Sequence, residues 1–83
     1  MSTAAALQHD AIWLQPADYN VVSLNPKLSS HVPELAGALQ HGIPAFPDNS
    51  RDGFYDVELD NGWSYIHVHD RARTIYLVAH SHN

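Results

Sequence analysis

A chain of 83 residues without a cysteine has room for one small domain, and it excludes disulfides, thiolate metal sites and thiol nucleophiles. Four basic residues, Lys27, Arg51, Arg71 and Arg73, stand against nine acidic ones for a net charge of −5, too few and too scattered to track a phosphate backbone, so nucleic acid is not an expected partner. No apolar run approaches the roughly 20 residues of a membrane span, and "MSTAAALQHD" lacks the basic start and long apolar stretch of a secretory signal, so a soluble cytoplasmic domain without membrane contact is expected.

In "STAAALQHDAIWL", Leu7, Ala11 and Leu14 fall at helical spacing, which allows a short helix ended by Pro16; a strand over Ala11 to Leu14 fits the same residues. Val21, Val22 and Leu24 then suggest a strand from Tyr19 to Leu24, because β-branched side chains favour the pleated surface. "SSHVPELAGALQHG" predicts a helix over about 32–41. Ser30 or a neighbour can cap it, Pro33 sits in the first turn where a missing N–H costs little, and Val32, Leu35, Ala36 and Leu39 share one face. Gly42 is placed to stop it as a left-handed C-terminal cap. The stretch from Ile43 to Gly53 is dense in turn formers and reads as the break between two halves of one domain, 1–83. Residues 1–50 hold all five prolines and read as irregular and helical, whereas residues 51–83 read as sheet.

In that second half, Asn61-Gly62 is a strong hairpin signal. A two-residue turn there would set Val57 opposite Ile66, Asp56 opposite His67 and Glu58 opposite Tyr65. A second turn at "DRAR" would set Val68 beside Ile75, Ile66 beside Leu77 and Ser64 beside Ala79. Tyr55, Val57, Leu59, Ile66 and Val68 then gather on one face, which is the core. The expected fold is α+β: a three-stranded antiparallel meander over about 54–60, 63–69 and 74–80, with the helix packed on it and an extra N-terminal strand or helix beside it.

The opposite face would carry Phe54, His69 and Thr74 in one row, then Asp56, His67 and Tyr76, then Glu58, Tyr65 and Val78, and last Asp60, Trp63 and His80. Such a face can be an ordinary solvated surface, with Asp56 and His67 as one cross-strand pair. It can also be a partner surface, because aromatic side chains favour the centres of interfaces. The binding residues are then Trp63, Tyr65, His67, Tyr76 and Val78. The partner is a protein, with a second copy of the chain the simplest case, either face to face or through the edge of Thr74 to Ala79. The rival is a metal-binding or hydrolytic domain using Asp56, His67 and His69, since two imidazoles and a carboxylate can hold zinc or iron. Enzyme chemistry is not expected. Ser64 points away from His67, no nucleophile elbow, phosphate loop or dinucleotide fingerprint is present, and Asp56, Glu58 and Asp60 read as charges that keep an edge strand solvated. No cofactor is expected. Seven histidines, if all were protonated, would move the net charge from −5 to +2, so a pH-responsive module is a third reading.

Overall fold

The computed structural model of the chain describes residues 11–16 and 18–82. In chain order its elements are β1 (Ile12–Leu14), β2 (Asn20–Ser23), a 3-10 helix (Pro26–His31), α1 (Val32–His41), β3 (Ile43–Pro47), β4 (Phe54–Leu59), β5 (Gly62–His69) and β6 (Thr74–His82). The strands form one sheet in the order β1-β3-β4-β5-β6-β2. Neighbours run antiparallel except β2, which is parallel to β6. The helical signal at Leu7 lies outside the described residues, and Ile12 to Leu14 are extended.

The domain is α+β, but its sheet has six strands where a three-stranded meander was expected. β4, β5 and β6 lie side by side at its centre, flanked by shorter strands from the half read as irregular. Most of that difference comes from β3. Pro44 and Pro47 remove backbone donors and read as turn residues, yet Ile43, Ala45 and Pro47 alternate with Pro44 and Phe46 as a strand requires. Two further expectations fail with the added strands. β2 pairs with Thr74 to Leu77, so that stretch of β6 is not a free edge. β3 pairs with β4, so the acids on β4 do not guard an edge either.

The helical segment begins earlier than Ser30. Asn25 Oδ1 accepts from the Lys27 N–H at 3.0 Å, and Pro26 takes the first position of the 3-10 helix, where no N–H is needed. α1 follows without a break. Ser30 therefore lies inside the 3-10 helix, and His31 holds the N-cap position of α1 without a side-chain cap bond. Leu35 and Leu39, one turn apart, point onto the sheet and are buried with Ala45, Val57, Leu59, Ile66, Ile75 and Leu77. Each fully buried large aliphatic contributes about 1.5–3 kcal/mol. Gly42 ends α1 with φ 90° and ψ 142°, a positive-φ conformation that is neither extended nor left-handed helical, and a side chain there would overlap the Trp13 indole.

The first hairpin turns on Asp60 and Asn61, so that Leu59 pairs with Gly62, Val57 with Ser64 and Asp56 with Tyr65. This is two residues from the expected register. A turn centred on Asn61-Gly62 needs positive φ at Asn61, but the positive φ, 146°, falls on Gly62. Gly62 is also where the backbone of Ser81 and His82 approaches too closely for any side chain. Because the slip is an even number of residues, Tyr65 and Ile66 keep the faces expected of them. The second hairpin has the expected register from His69–Thr74 to Ile66–Leu77. Then Tyr65 pairs with Ala79, which leaves Val78 without a cross-strand partner. This bulge reverses the faces of the last residues of β6. His80 comes opposite Ser64 on the helix side of the sheet, not beside Trp63 as expected.

Candidate functional site

α1 and the 3-10 helix cover one face of the sheet. On the other face the cross-strand pairings give continuous rows: Val22, Tyr76, His67, Phe54; then Ala79, Tyr65, Asp56, Phe46; then Ser81, Trp63, Glu58. Trp13 extends this face on β1, opposite Pro44. The rings interlock. Phe54 stacks on His67 at 4.3 Å and on Tyr65 at 5.6 Å, His67 stacks on Tyr76 at 6.0 Å, and Phe46 meets Trp63 at 5.8 Å. Three apolar groups stay well exposed on it: Trp13 at 64%, Val22 at 41% and Trp63 at 37%.

The turn between β3 and β4 folds over one margin of this surface. Asp48 N–H donates to the Phe54 carbonyl at 2.9 Å, and the Asp48 carboxylate accepts from the Ser50 N–H at 2.9 Å and the Ser50 hydroxyl at 2.8 Å. Its other oxygen accepts from the Tyr65 hydroxyl. The Tyr65 bond, then the two Ser50 bonds and the nearby Arg51 charge, hold the Asp48 carboxyl down at about 2. The same bond to Asp48, followed by desolvation, raises the Tyr65 phenol above its ordinary value. Arg51 lays its guanidinium 3.8 Å from the centre of the Phe54 ring, a cation–π contact. Asp56 lies between Phe46 and Tyr65, and burial, then the Asp48 charge, raises its carboxyl.

Of the expected binding residues, Trp63, Tyr65, His67 and Tyr76 share this face, and Val78 sits in the bulge. The set Asp56, His67 and His69 does not assemble as a metal site. Asp56 lies opposite Tyr65 and Phe46, not His67, because of the two-residue slip. His67 sends Nδ1–H to the Gly53 carbonyl at 3.2 Å and stacks on its neighbours. Phe46 was missed because its strand was read as a break, and Asp48 and Arg51 because their contacts depend on how that turn folds back.

A groove of about 760 Å³ runs between α1 and β2, bordered by Pro16, Tyr19, Val21, Pro33, Gly37 and Gln40. Two of its polar side chains are engaged within the fold. Gln15 donates to the Gln40 carbonyl at 3.1 Å, and Tyr19 donates to Asp70 at 2.5 Å. On the helix side of the sheet, Ser64 Oγ lies 2.8 Å from His80 Nδ1, the pairing of a nucleophile with a base, but Ser64 is fully buried and no substrate can reach it. Among the described residues no helix is long and apolar enough to cross a membrane. No family model, curated protein or solved structure matches the chain.

Proposed function

We propose that this domain works by binding, and that the uncovered face of its sheet docks a second copy of the same chain, sheet against sheet. One observation carries this reading. Every strand places at least one large apolar or aromatic side chain on the face that no helix covers: Trp13, Val22, Phe46, Phe54, Trp63 with Tyr65, and Tyr76. A two-layer domain needs only one such face for its own core. Six strands spaced about 4.8 Å apart, some five residues deep at about 3.3 Å each, present on the order of 500 Å² per copy. Doubled, that is about 1,000 Å² in total, the area a biological interface should clear and just below the standard range that starts at about 1,200 Å².

The charges on the face favour a self-complementary arrangement. Asp56 and Glu58 lie towards the Trp63 end, and His67 and His69 towards the other. A two-fold axis lying across the strands would bring the acidic end of one copy over the imidazole end of the next. Trp63 and Tyr76 are the anchors, and Arg51 and Asp48 belong to the rim. The solution mass of the full chain, followed over concentration by sedimentation equilibrium, tests this. A dimer is expected, and Trp63→Ala with Tyr76→Ala should weaken it by about 30-fold or more, as loss of a hot spot does. A chain that stays monomeric at high micromolar concentration, or a dimer indifferent to the two substitutions, refutes the reading.

A further inference from the structure

The bulge at Val78 has a second effect, on the opposite side of the sheet. By shifting β6 one residue, it turns His80 and His82 together towards the helical layer, where His31 waits at the junction of the 3-10 helix and α1. The three rings are in contact. His31 stacks on His80 with centroids 3.9 Å apart and planes at 19°. His82 meets His80 edge-on at 4.9 Å and His31 at 5.3 Å. One ring nitrogen from each lies within 4.8 Å of the other two. This cluster is unrelated to the docking face, which lies across the sheet.

We propose that His31, His80 and His82 form a binding site for one zinc-class divalent ion, held by three imidazole nitrogens with the fourth position left to water. The arrangement of His80 argues for a ligand role over mere stacking. Its Nδ1 is engaged by the buried Ser64 hydroxyl at 2.8 Å, while its Nε2 is shielded from solvent and has no hydrogen-bond partner. A buried ring nitrogen without a partner is costly, and a metal ion would complete it. A metal-binding imidazole usually gives its other N–H to a fixed oxygen, which orients the ring and sets its tautomer; Ser64 occupies that place. Burial, and then the neighbouring His31 and His82, lower the affinity of His80 for a proton. Glu34, whose negative charge acts on His80 in the opposite sense, adds a favourable field for a cation.

Near-parallel rings cannot aim their in-plane lone pairs at one ion, so binding requires the His31–His80 stack to open. In a tetrahedral site, zinc–nitrogen bonds of about 2.0–2.1 Å put ligand nitrogens about 3.3 Å apart. His82 is exposed and His31 only partly buried, so both rings can turn inward while Ser64 holds His80. The ion would tie the start of α1 to the end of β6, beyond Leu77, where the pairing with β2 has stopped.

The test uses the full chain, prepared without a polyhistidine tag, stripped with a chelator and titrated with zinc chloride by calorimetry. One ion per chain with micromolar or tighter affinity is expected. His31→Gln and His82→Gln should each weaken it by about tenfold or more, and Ser64→Ala by about 10–100-fold through loss of ring orientation. The double substitution His67→Gln, His69→Gln should leave it unchanged. Histidine ring resonances of the unsubstituted protein give a second readout that does not depend on variants folding: zinc should shift His31, His80 and His82 and spare His67 and His69. Absence of saturable binding in the micromolar range, binding indifferent to His31→Gln and His82→Gln, or shifts centred on His67 and His69 would overturn the proposal.

Discussion

Replacing Ser64 by alanine tests the energetics on which the helix side of the sheet depends. Ser64 is the buried polar residue of the core, fully inaccessible, and its hydroxyl holds His80 Nδ1 at 2.8 Å. His80 Nε2 is already shielded and unpaired. Ser64→Ala therefore takes away the one partner the ring has. A polar group stranded in this way costs about 1–3 kcal/mol, whereas the lost hydroxyl is too small to open a sizeable cavity. A domain of this size has on the order of 5 kcal/mol of stability in all. With a urea dependence of about 1 kcal/mol per molar, the unfolding midpoint should fall by about 1–3 M. Equilibrium urea unfolding, followed by tryptophan fluorescence in the presence of a chelator, measures it. The double variant Ser64→Ala, His80→Leu should recover much of the loss, because removing both partners leaves nothing unsatisfied. A midpoint unchanged by Ser64→Ala, or a double variant worse than either single one, would refute the argument that this pair is a closed polar unit.

The glycines predict opposite signs. Gly62→Ala should destabilise strongly, because it adds a side chain at φ 146° and into the Ser81 carbonyl; Gly37→Ala, in the interior of α1 with nothing near its missing Cβ, should stabilise by about 0.5–1 kcal/mol, both read from thermal unfolding. Asp48 sets an acid limb. Its carboxyl titrates at about 2 in the fold against an ordinary 3.8, so its contribution is complete above that ordinary value and is lost as pH falls from 3.8 towards 2. Asp48→Asn should flatten the stability profile across that window. Asp56 has the reverse sign, since burial raises it and the fold favours its neutral form. Asp56→Asn should therefore stabilise the domain at neutral pH, with the gain vanishing in acid, as a pH series of urea midpoints would report.

How much of this was legible in the sequence depended on parity. The alternation of Tyr55, Val57 and Leu59 with Asp56 and Glu58 specified a core face whatever the turn, and a two-residue slip at Asp60-Asn61 left that face intact. Helix α1 was equally legible, because Leu35 and Leu39 repeat at four residues and Pro33 and Gly42 bound them. A strand from Tyr19 to Leu24 was expected and β2 spans Asn20–Ser23, but its parallel union with β6 had no local signal. β3 was hidden by its two prolines. The pairing partners of Asp56 and His67 were misassigned because cross-strand neighbours, unlike faces, depend on the absolute register.

The bulge at Val78 matters most, because an odd slip changes chemistry where an even one changes only neighbours. With strict alternation from Thr74 onward, His80 would join Trp63 on the docking face and His82 would follow it, leaving His31 alone. One unpaired residue instead divides the histidines, with His67 and His69 among the aromatic rings on one side and His80 and His82 beside His31 on the other. Nothing in "YLVAHSH" announces this, since each residue there is compatible with either face. The deciding contacts are tertiary. They are the close backbone approach of Ser81 and His82 to Gly62, and the Ser64 hydroxyl, which would face the methyl of Ala79 in the unbulged register and faces an imidazole in the bulged one. A buried hydroxyl has little use for a methyl group, so the polar demand of Ser64 favours the register that delivers His80. On this argument the same residue that stabilises the core also places the nitrogen left without a partner beside His31.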